Sequence, residues 1–499
     1  MALLDVLSTS GFGSQLPTIL TCVAVLFLVR AVFQAQTGPL ASLPGPEISK
    51  WTDLHVRLML ILGKRAQYVH SLHQKYGPVV RVGPNDVDVS DHAAAREIHR
   101  AKGGFLKSSF YATGGRIQSM FSTRDRGFHS SRRRLLGPCF TETSLENLQP
   151  VVVELTRTAM RKMRDEAKAG NGTVDLLKWW TLLAMDVIGQ LSFGESFGMV
   201  ESGKKSQFAE DVSNAGAILP LRTAFPTLIW IGAYLPLPFF QNIAQSRQRI
   251  VAYNQERVAR YMQLVQKDAQ KSRATIFTSL IKGNAIELTE LELTVEVQSY
   301  ITAGTDTTAV TLTYLIWAVC RDQKIRDELV RELKSVDVAD EEQLTYKHVR
   351  DLPYLNCVVE EALRRYGAAP GALPRDVPDE GAFLGGHFVP GGGTVVSTQG
   401  YSLHRDPELF PDPERFNPSR WENPTKEMRD AFMAFGTGPR GCIGVHLARM
   451  ELRLATALFF RSFPSARVST KDGMSDTDMD ELITFLLVPR GHRCLVELE

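Results

Sequence analysis

The sequence predicts a mainly α fold with small β-sheets, preceded by one N-terminal helix long enough to span a membrane. Three observations lead there. Helical periodicity covers most of the long patterned segments, while alternating segments are few and short. The stretch Leu16 to Val29 carries no charge. Near the C-terminus a glycine-rich turn holding one cysteine runs directly into a helical pattern, Val445 to Arg461.

Taken in order, residues 1–11 form a short tail and 12–33 a membrane anchor. A span of about 20 apolar residues crosses a bilayer, and Phe12 to Phe33 reaches that length if Arg30 snorkels to the interface. Asp5 is the one charge before Arg30, so the basic region of a cleaved signal peptide is missing. Arg30, Lys50, Arg57, Lys64 and Arg65 follow the apolar stretch, which places the bulk of the chain in the cytosol. Residues 34–49, with Leu43-Pro44-Gly45-Pro46, read as a stiff proline hinge. Residues 50–499 read as one large globular unit, because no linker, charge run or repeat divides them.

Within that unit Lys64–Lys75 has a helical pattern, and Val79–Val82 with Val87–Val89 alternate like a short hairpin. Helices are expected over Thr143–Ala169, Val174–Leu191, Phe240–Lys271, Glu287–Arg321, Gln323–Ser335 and Tyr354–Tyr366. Gly381–Ser397 is β-rich with glycine turns, and Arg405–Trp421 is proline-punctuated coil. Short strands near Ile483–Val488 and Arg493–Glu497 close the chain.

Charge is nearly balanced, 57 Lys+Arg against 55 Asp+Glu. No basic stripe with interleaved aromatics appears, so nucleic-acid binding is unsupported. The 6 cysteines have no paired spacing, which fits a reducing compartment better than a disulfide framework.

Four stretches carry chemistry. In Phe435-Gly436-Thr437-Gly438-Pro439-Arg440-Gly441-Cys442-Ile443-Gly444 the glycines let the backbone bend close to something flat and bulky. The start of the following helix and Arg440 supply positive potential that favours a thiolate. Alone, Cys442 reads as a small buried apolar residue. Cys442 with His446, four residues on, could also be half of a zinc site, but no second half is evident. Ala303-Gly304-Thr305-Asp306-Thr307-Thr308 lies mid-helix, where threonine hydroxyls compete for backbone carbonyls and such places bend or bulge. A carboxylate beside a hydroxyl in an apolar pocket can hold water and relay protons. Glu361-Ala362-Leu363-Arg364 is an i,i+3 charge pair, of small value on a surface. His129-Ser130-Ser131-Arg132-Arg133-Arg134 puts His129 and Arg133 on one helix face, with Arg132 and Arg134 read as solvated or facing an acidic partner.

Together these stretches resemble the cytochrome P450 family. The cysteine segment fills every fixed position of its haem-thiolate loop, Phe-x-x-Gly-x-Arg-x-Cys-x-Gly. Ala303–Thr308 matches its oxygen-activation motif, and Glu361-x-x-Arg364 with Pro413-Glu414-Arg415-Phe416 matches its helix pair and later arginine. The order of elements is similar over essentially the whole chain from residue 44. The resemblance implies haem b with Cys442 as axial ligand. It further implies Phe435, His129, Arg133, Arg375 and Arg440 against the haem, Asp306 and Thr307 delivering protons, and Ala303 and Ala369 lining the substrate pocket. Glu361, Arg364 and Arg415 would form one buried structural network. One departure is Gly367-Ala368, where many relatives carry Pro-Pro.

The implied activity is a monooxygenase, an oxidoreductase that inserts one atom of O2 into a lipophilic small molecule. Electrons would come from NADPH through a separate reductase, since no flavin or nicotinamide module is present. The implied location is the endoplasmic reticulum membrane, single-pass, with the catalytic part cytosolic. Pro374-Arg375-Asp376-Val377-Pro378 and Ser402–Pro407 look like filamentous-fungal relatives of secondary metabolism, which oxidise polyketides in mycotoxin pathways. Desaturation or rearrangement on the same machinery, and a haem sensor without catalysis, are the rival readings.

Overall fold

A computed structural model describes residues 12–112, 117–232, 237–267, 275–278, 288–338 and 343–498. The helices of eight or more residues are, in chain order, α1 (Phe12–Thr37), α2 (Leu54–Ile61), α3 (Arg65–Tyr76), α4 (His92–His99), α5 (Arg126–Leu136), α6 (Gln149–Ala169) and α7 (Leu176–Phe193). They continue with α8 (Gln207–Ala217), α9 (Pro238–Lys267), α10 (Glu290–Arg321), α11 (Gln323–Lys334), α12 (Pro353–Tyr366) and α13 (Val445–Ser462). The two boundary residues expected beyond these, Glu287 and the stretch to Lys271, lie outside the described residues.

α10 is the axis of the molecule. Its 32 residues at about 1.5 Å each make a rod near 48 Å long. Thr289 starts it with a capping box: its hydroxyl accepts from Glu292 N at 3.2 Å, and Glu292 accepts from Thr289 N at 2.9 Å. From Thr308 to Cys320 every residue is buried, against α7, α12 and α13. Gly304 allows the close crossing with α7, since a Cβ there would sit 3.3 Å from Ile188 Cγ1. The expected bend is not realised: the helix is continuous through 303–308. Its threonines satisfy their hydroxyls on carbonyls one turn back, Thr305 on Ile301 at 2.7 Å and Thr307 on Ala303 at 2.6 Å.

The main sheet has the order β1 (Val79–Arg81), β2 (Asp86–Val89), β8 (Val395–Ser397), β5 (Arg375–Asp376), β3 (Leu106–Lys107). The β2–β8 pairing is parallel and the others antiparallel. β6 (Ala382–Leu384) and β7 (His387–Val389) form the expected glycine-turn hairpin. β10 (Glu481–Ile483) pairs with β11 (Leu487–Pro489). β4 (Thr173–Asp175), β12 (Leu495–Glu497) and β9 (Arg467–Val468) form a three-stranded sheet. Val174, expected in a helix, is therefore a strand residue opposite Val496. Its partner lies more than 300 residues away, and no local pattern announces it. The helix expected over 143–169 is broken at Asn147–Leu148, just before Pro150.

The tail 1–11 lies outside the described residues. α1 forms over 26 residues, but among the described residues no helix is long and apolar enough to cross a membrane, so the span over 12–33 is not confirmed. Pro17 and Arg30 both lie within it. Residues 34–49 pack against the globular part. Leu40 and Leu43 are buried in the cluster under the main sheet. Arg81 N donates to Pro44 O at 2.7 Å, and a Cβ on Gly45 would lie 2.5 Å from Arg81 O. The segment is docked on β1.

Candidate functional site

The cysteine loop is set by two glycines. Gly436 and Gly438 adopt φ of 65° and 68°, which side chains disfavour. A Cβ on Gly438 would also lie 2.0 Å from His99 O at the end of α4, so this close approach of loop and helix requires glycine. Gly441 N donates to Gly438 O at 3.0 Å and Cys442 N to Phe435 O at 2.8 Å. Arg133 of α5 reaches across to donate to Gly441 O at 2.7 Å. The loop is thus held from both sides, and Cys442 opens onto a cavity of about 2050 Å³.

Cys442 is accessible in that cavity yet enclosed by protein. Burial pushes its thiol above the usual value, while the Gly444 N–H and Arg133 pull the other way. The expectation that the helix start and Arg440 favour a thiolate is corrected on this point: desolvation is the larger effect, and the opposing groups are the Gly444 N–H and Arg133. A coordinated cation is what would stabilise the anion there.

Beside the loop stand four cations. Lys107 of β3 and Arg375 of β5 are direct cross-strand partners, an arrangement that like charges oppose. Lys107 Nζ donates to Phe121 O at 2.5 Å and lies 4.2 Å from the Tyr111 ring. Arg375 donates to Pro374 O at 2.9 Å and to the Tyr111 hydroxyl at 3.3 Å. Arg440 donates to Thr123 O at 2.9 Å and Asp125 O at 3.2 Å. Each of these partners, like Gly441 O for Arg133, is neutral. Among the described residues none of the four cations is ion-paired. The cluster holds its own basicity down. Lys107 is lowered to about 6, first by burial, then by Arg375 and Arg440. Arg440 is lowered to about 10 by burial and Arg375. His129, buried on α5, is lowered to about 4 by burial, then by Arg440 and Arg133. Such a set is completed by a ligand carrying two acidic groups, and a haem with its two propionates fits it.

Sequence reasoning missed Lys107, since an isolated lysine between Leu106 and Ser108 gives no signal. It also misplaced Arg132, which is buried, ion-paired to Glu292 and packed 4.8 Å from the Phe128 ring centre. Glu292 belongs to the capping box of α10, so Arg132 ties α5 to α10. Arg134 is exposed as expected.

On the cavity wall Ala303, Asp306, Thr307, Ala369 and Phe435 are all present. Asp306 is raised above the usual carboxylate range by burial, an effect Lys205 opposes. The Thr307 hydroxyl donates to Ala303 O, leaving its lone pairs free to accept from the cavity side. Glu451 of α13 also lines the cavity, and burial alone pushes its carboxyl up to about 8. No motif singles this residue out, although a glutamate on the apolar face of a helix is a readable signal.

The charge network behind the loop has a different third arginine from the expected one. Glu361 and Arg364 are fully buried and doubly bonded, at 2.8 and 2.9 Å. The 3-10 turn Pro418–Trp421 docks on α12 and brings Arg420 Nε to Glu361 at 3.0 Å and Trp421 Nε1 to 2.9 Å. Arg415 is exposed and contributes its carbonyl, which accepts from Arg364 at 3.3 Å. The turn, rather than the extended coil before it, faces the carboxylate. His404 completes the back wall: its carbonyl accepts from Arg364 at 2.7 Å, and its Nε2 accepts from Met433 N at 2.8 Å, just ahead of the loop.

The family profile described as Cytochrome P450 matches residues 46–496. The cytochrome P450 monooxygenase tazI of Aspergillus terreus is 48% identical over 97% of this chain and 99% of its own. The cytochrome P450 monooxygenase orf2 of Aspergillus niger is 40% identical over 95% and 96%. The cytochrome P450 monooxygenase azaI, also of Aspergillus niger, is 40% identical over 84% and 94%.

Proposed function

The chain belongs to the cytochrome P450 monooxygenases, and from that premise we propose that it oxidises a lipophilic small molecule of fungal secondary metabolism, polyketide-like in character. The observation that carries this reading is the open cysteine at the base of a large cavity, ringed by four cations without a carboxylate partner. Cys442 would hold the haem iron, Arg133, Arg375, Arg440 and Lys107 would take the propionates, and His129 and Phe435 would pack beside it. When bound, the haem supplies oxygen activation and insertion. The chain holds it, excludes water from an apolar chamber and moves protons. Asp306, loosened towards protonation by burial, hands protons to the Thr307 hydroxyl, which is oriented by Ala303 O. Ala303 and Ala369 leave room for substrate.

Electrons come from an NADPH–cytochrome P450 reductase in trans. The N-terminal helix attaches the protein to the endoplasmic reticulum membrane with the catalytic part in the cytosol. Leu26 and Phe33 of α1 are 67% and 66% exposed, which supports a lipid-facing role. A chain beginning at Ser42 should lose most of its membrane association and keep its haem.

The direct test is the carbon monoxide spectrum of the reduced protein. It should show the red-shifted Soret band of a thiolate ligand, and Cys442→Ala should abolish it. Retention of the band in that variant would overturn the assignment. Thr307→Ala should keep the band and divert NADPH electrons to peroxide, read as the ratio of product to NADPH consumed.

A further inference from the structure

Two arginines on the cavity wall are not explained by cofactor binding. Arg222 lies in the short helix Leu219–Ala224, and Arg247 on α9. Both line the cavity. The short helix packs on α2 and on α8, whereas the cysteine loop packs on α4, so these arginines belong to a different part of the lining from Lys107, Arg375 and Arg440.

The nearby carboxylates are taken. Asp53 is bound to Arg57 at 2.7 Å, and the same Arg57 caps the short helix by donating to Ala224 O. Asp211 of α8 is held in two bonds by Arg249, at 2.8 and 2.6 Å. Elsewhere along the wall Asp306 is offset by Lys205, and Lys178 is bound by Glu166 at 2.5 Å. Among the described residues neither the Arg222 nor the Arg247 side chain has a hydrogen bond or an ion pair. Arg222 is partly buried and Arg247 exposed, and burial together with the charge of Arg247 lowers the basicity of Arg222. Ile218, Leu219, Ile229, Phe240 and Ile243 line the same stretch, with Gln248 beside Arg247. A partly buried guanidinium without an anion, in an apolar wall and beside a second cation, is unfavourable unless a ligand supplies the missing charge.

We propose that Arg222 and Arg247 bind the carboxylate of an otherwise lipophilic substrate, so that the chamber selects acidic over neutral molecules. The proposal rests on reading the cavity as the substrate chamber. Guanidinium groups suit carboxylates by their paired N–H donors, and the apolar wall takes the rest of the molecule. Fixing one end on the arginines limits which carbon reaches the haem side.

The test uses the haem-loaded protein with 1-pyrenebutyrate and its methyl ester, two probes alike in body and different in charge. Equilibrium dialysis, read by pyrene fluorescence, gives each affinity without relying on the haem. The acid should bind more tightly than the ester. Arg222→Gln and Arg247→Gln should each weaken the acid about tenfold and change the ester by less than about twofold. Arg249→Gln, outside the cavity and already paired, should move neither. Equal affinity for acid and ester, or equal weakening of both in the two variants, overturns the proposal. So does a variant effect that appears only as lost binding to vesicles containing an anionic lipid, because the arginines would then serve a headgroup. The reduced carbon monoxide spectrum, recorded on the same samples, reports separately on the cofactor reading: a normal band with charge-blind binding sinks this inference alone.

Discussion

Two buried charge clusters flank the cysteine loop, and they are built in opposite ways. Behind it, the carboxylate of Glu361 accepts from Arg364, Arg420, Trp421 and the Asn417 backbone, with nothing left over. Beside it, Lys107, Arg133, Arg375 and Arg440 crowd together on neutral acceptors. The first cluster is complete when the chain has folded. The second is incomplete until an anionic ligand arrives, and its mutual repulsion is a standing cost to the ligand-free protein. The difference separates a structural network from a binding site without appeal to sequence motifs.

The comparison predicts opposite signs. The largest effect is expected from Glu361→Gln, which strands a fully buried guanidinium. Loss of one partner from such a network costs about 3–5 kcal/mol, read as the denaturant midpoint with and without haem. A shift of that size in both forms fits a self-complete cluster. Next, Arg375→Met should speed haem transfer to apomyoglobin by about tenfold or more, while the haem-depleted protein melts no lower than the parent. If the depleted variant were destabilised as much as Glu361→Gln, the second cluster would be structural too, and the comparison would collapse.

A pH measurement sharpens the contrast. The folded protein holds Lys107 down to about 6, whereas an unfolded lysine titrates at about 10.4. Between those values the unfolded chain binds more protons, so this residue makes the haem-depleted protein more stable as pH rises through the window. Glu451, pushed up to about 8, acts in the opposite direction from the unfolded value upward. The contribution of Lys107 is therefore read as the difference between parent and Lys107→Met. That difference should be present without haem and should shrink when the propionates are bound. The smallest effect is Arg415→Ala, within about 0.5 kcal/mol as for other exposed sites, against a clear loss for Arg420→Ala. Equal effects of the two would restore the network expected from the sequence.

Much of the fold was legible. The long helices from α9 to α13, the 79–89 hairpin and the β-rich 381–397 segment follow from local periodicity, and the structure shows them within a few residues. What was lost was of two kinds. β4 was read as helix because its pairing with β12 joins residues far apart in sequence. The helices between 199 and 232 escape the periodicity because they are short and punctuated by glycine and proline, and α4 because it has only 8 residues. In the site the same division holds. Cys442, Asp306, Thr307, Arg133 and Arg375 stand in recognisable runs, while Lys107, Glu451, Lys205 and Arg222 are single residues in plain surroundings.

By itself the sequence determined the family, the candidate ligand cysteine and the glycine-built turn, because these depend on residues within one short stretch. A turn with two positive-φ glycines and a helix starting directly after it is a local object. Which arginine answers Glu361, how burial outweighs the helix start at Cys442, and which cations stand unanswered were decided by tertiary structure alone. Charge balance, unlike periodicity, is a sum over neighbours in space: Arg420 rather than Arg415 meets Glu361 because a turn docks on α12, and Lys107 matters because β3 lies beside β5.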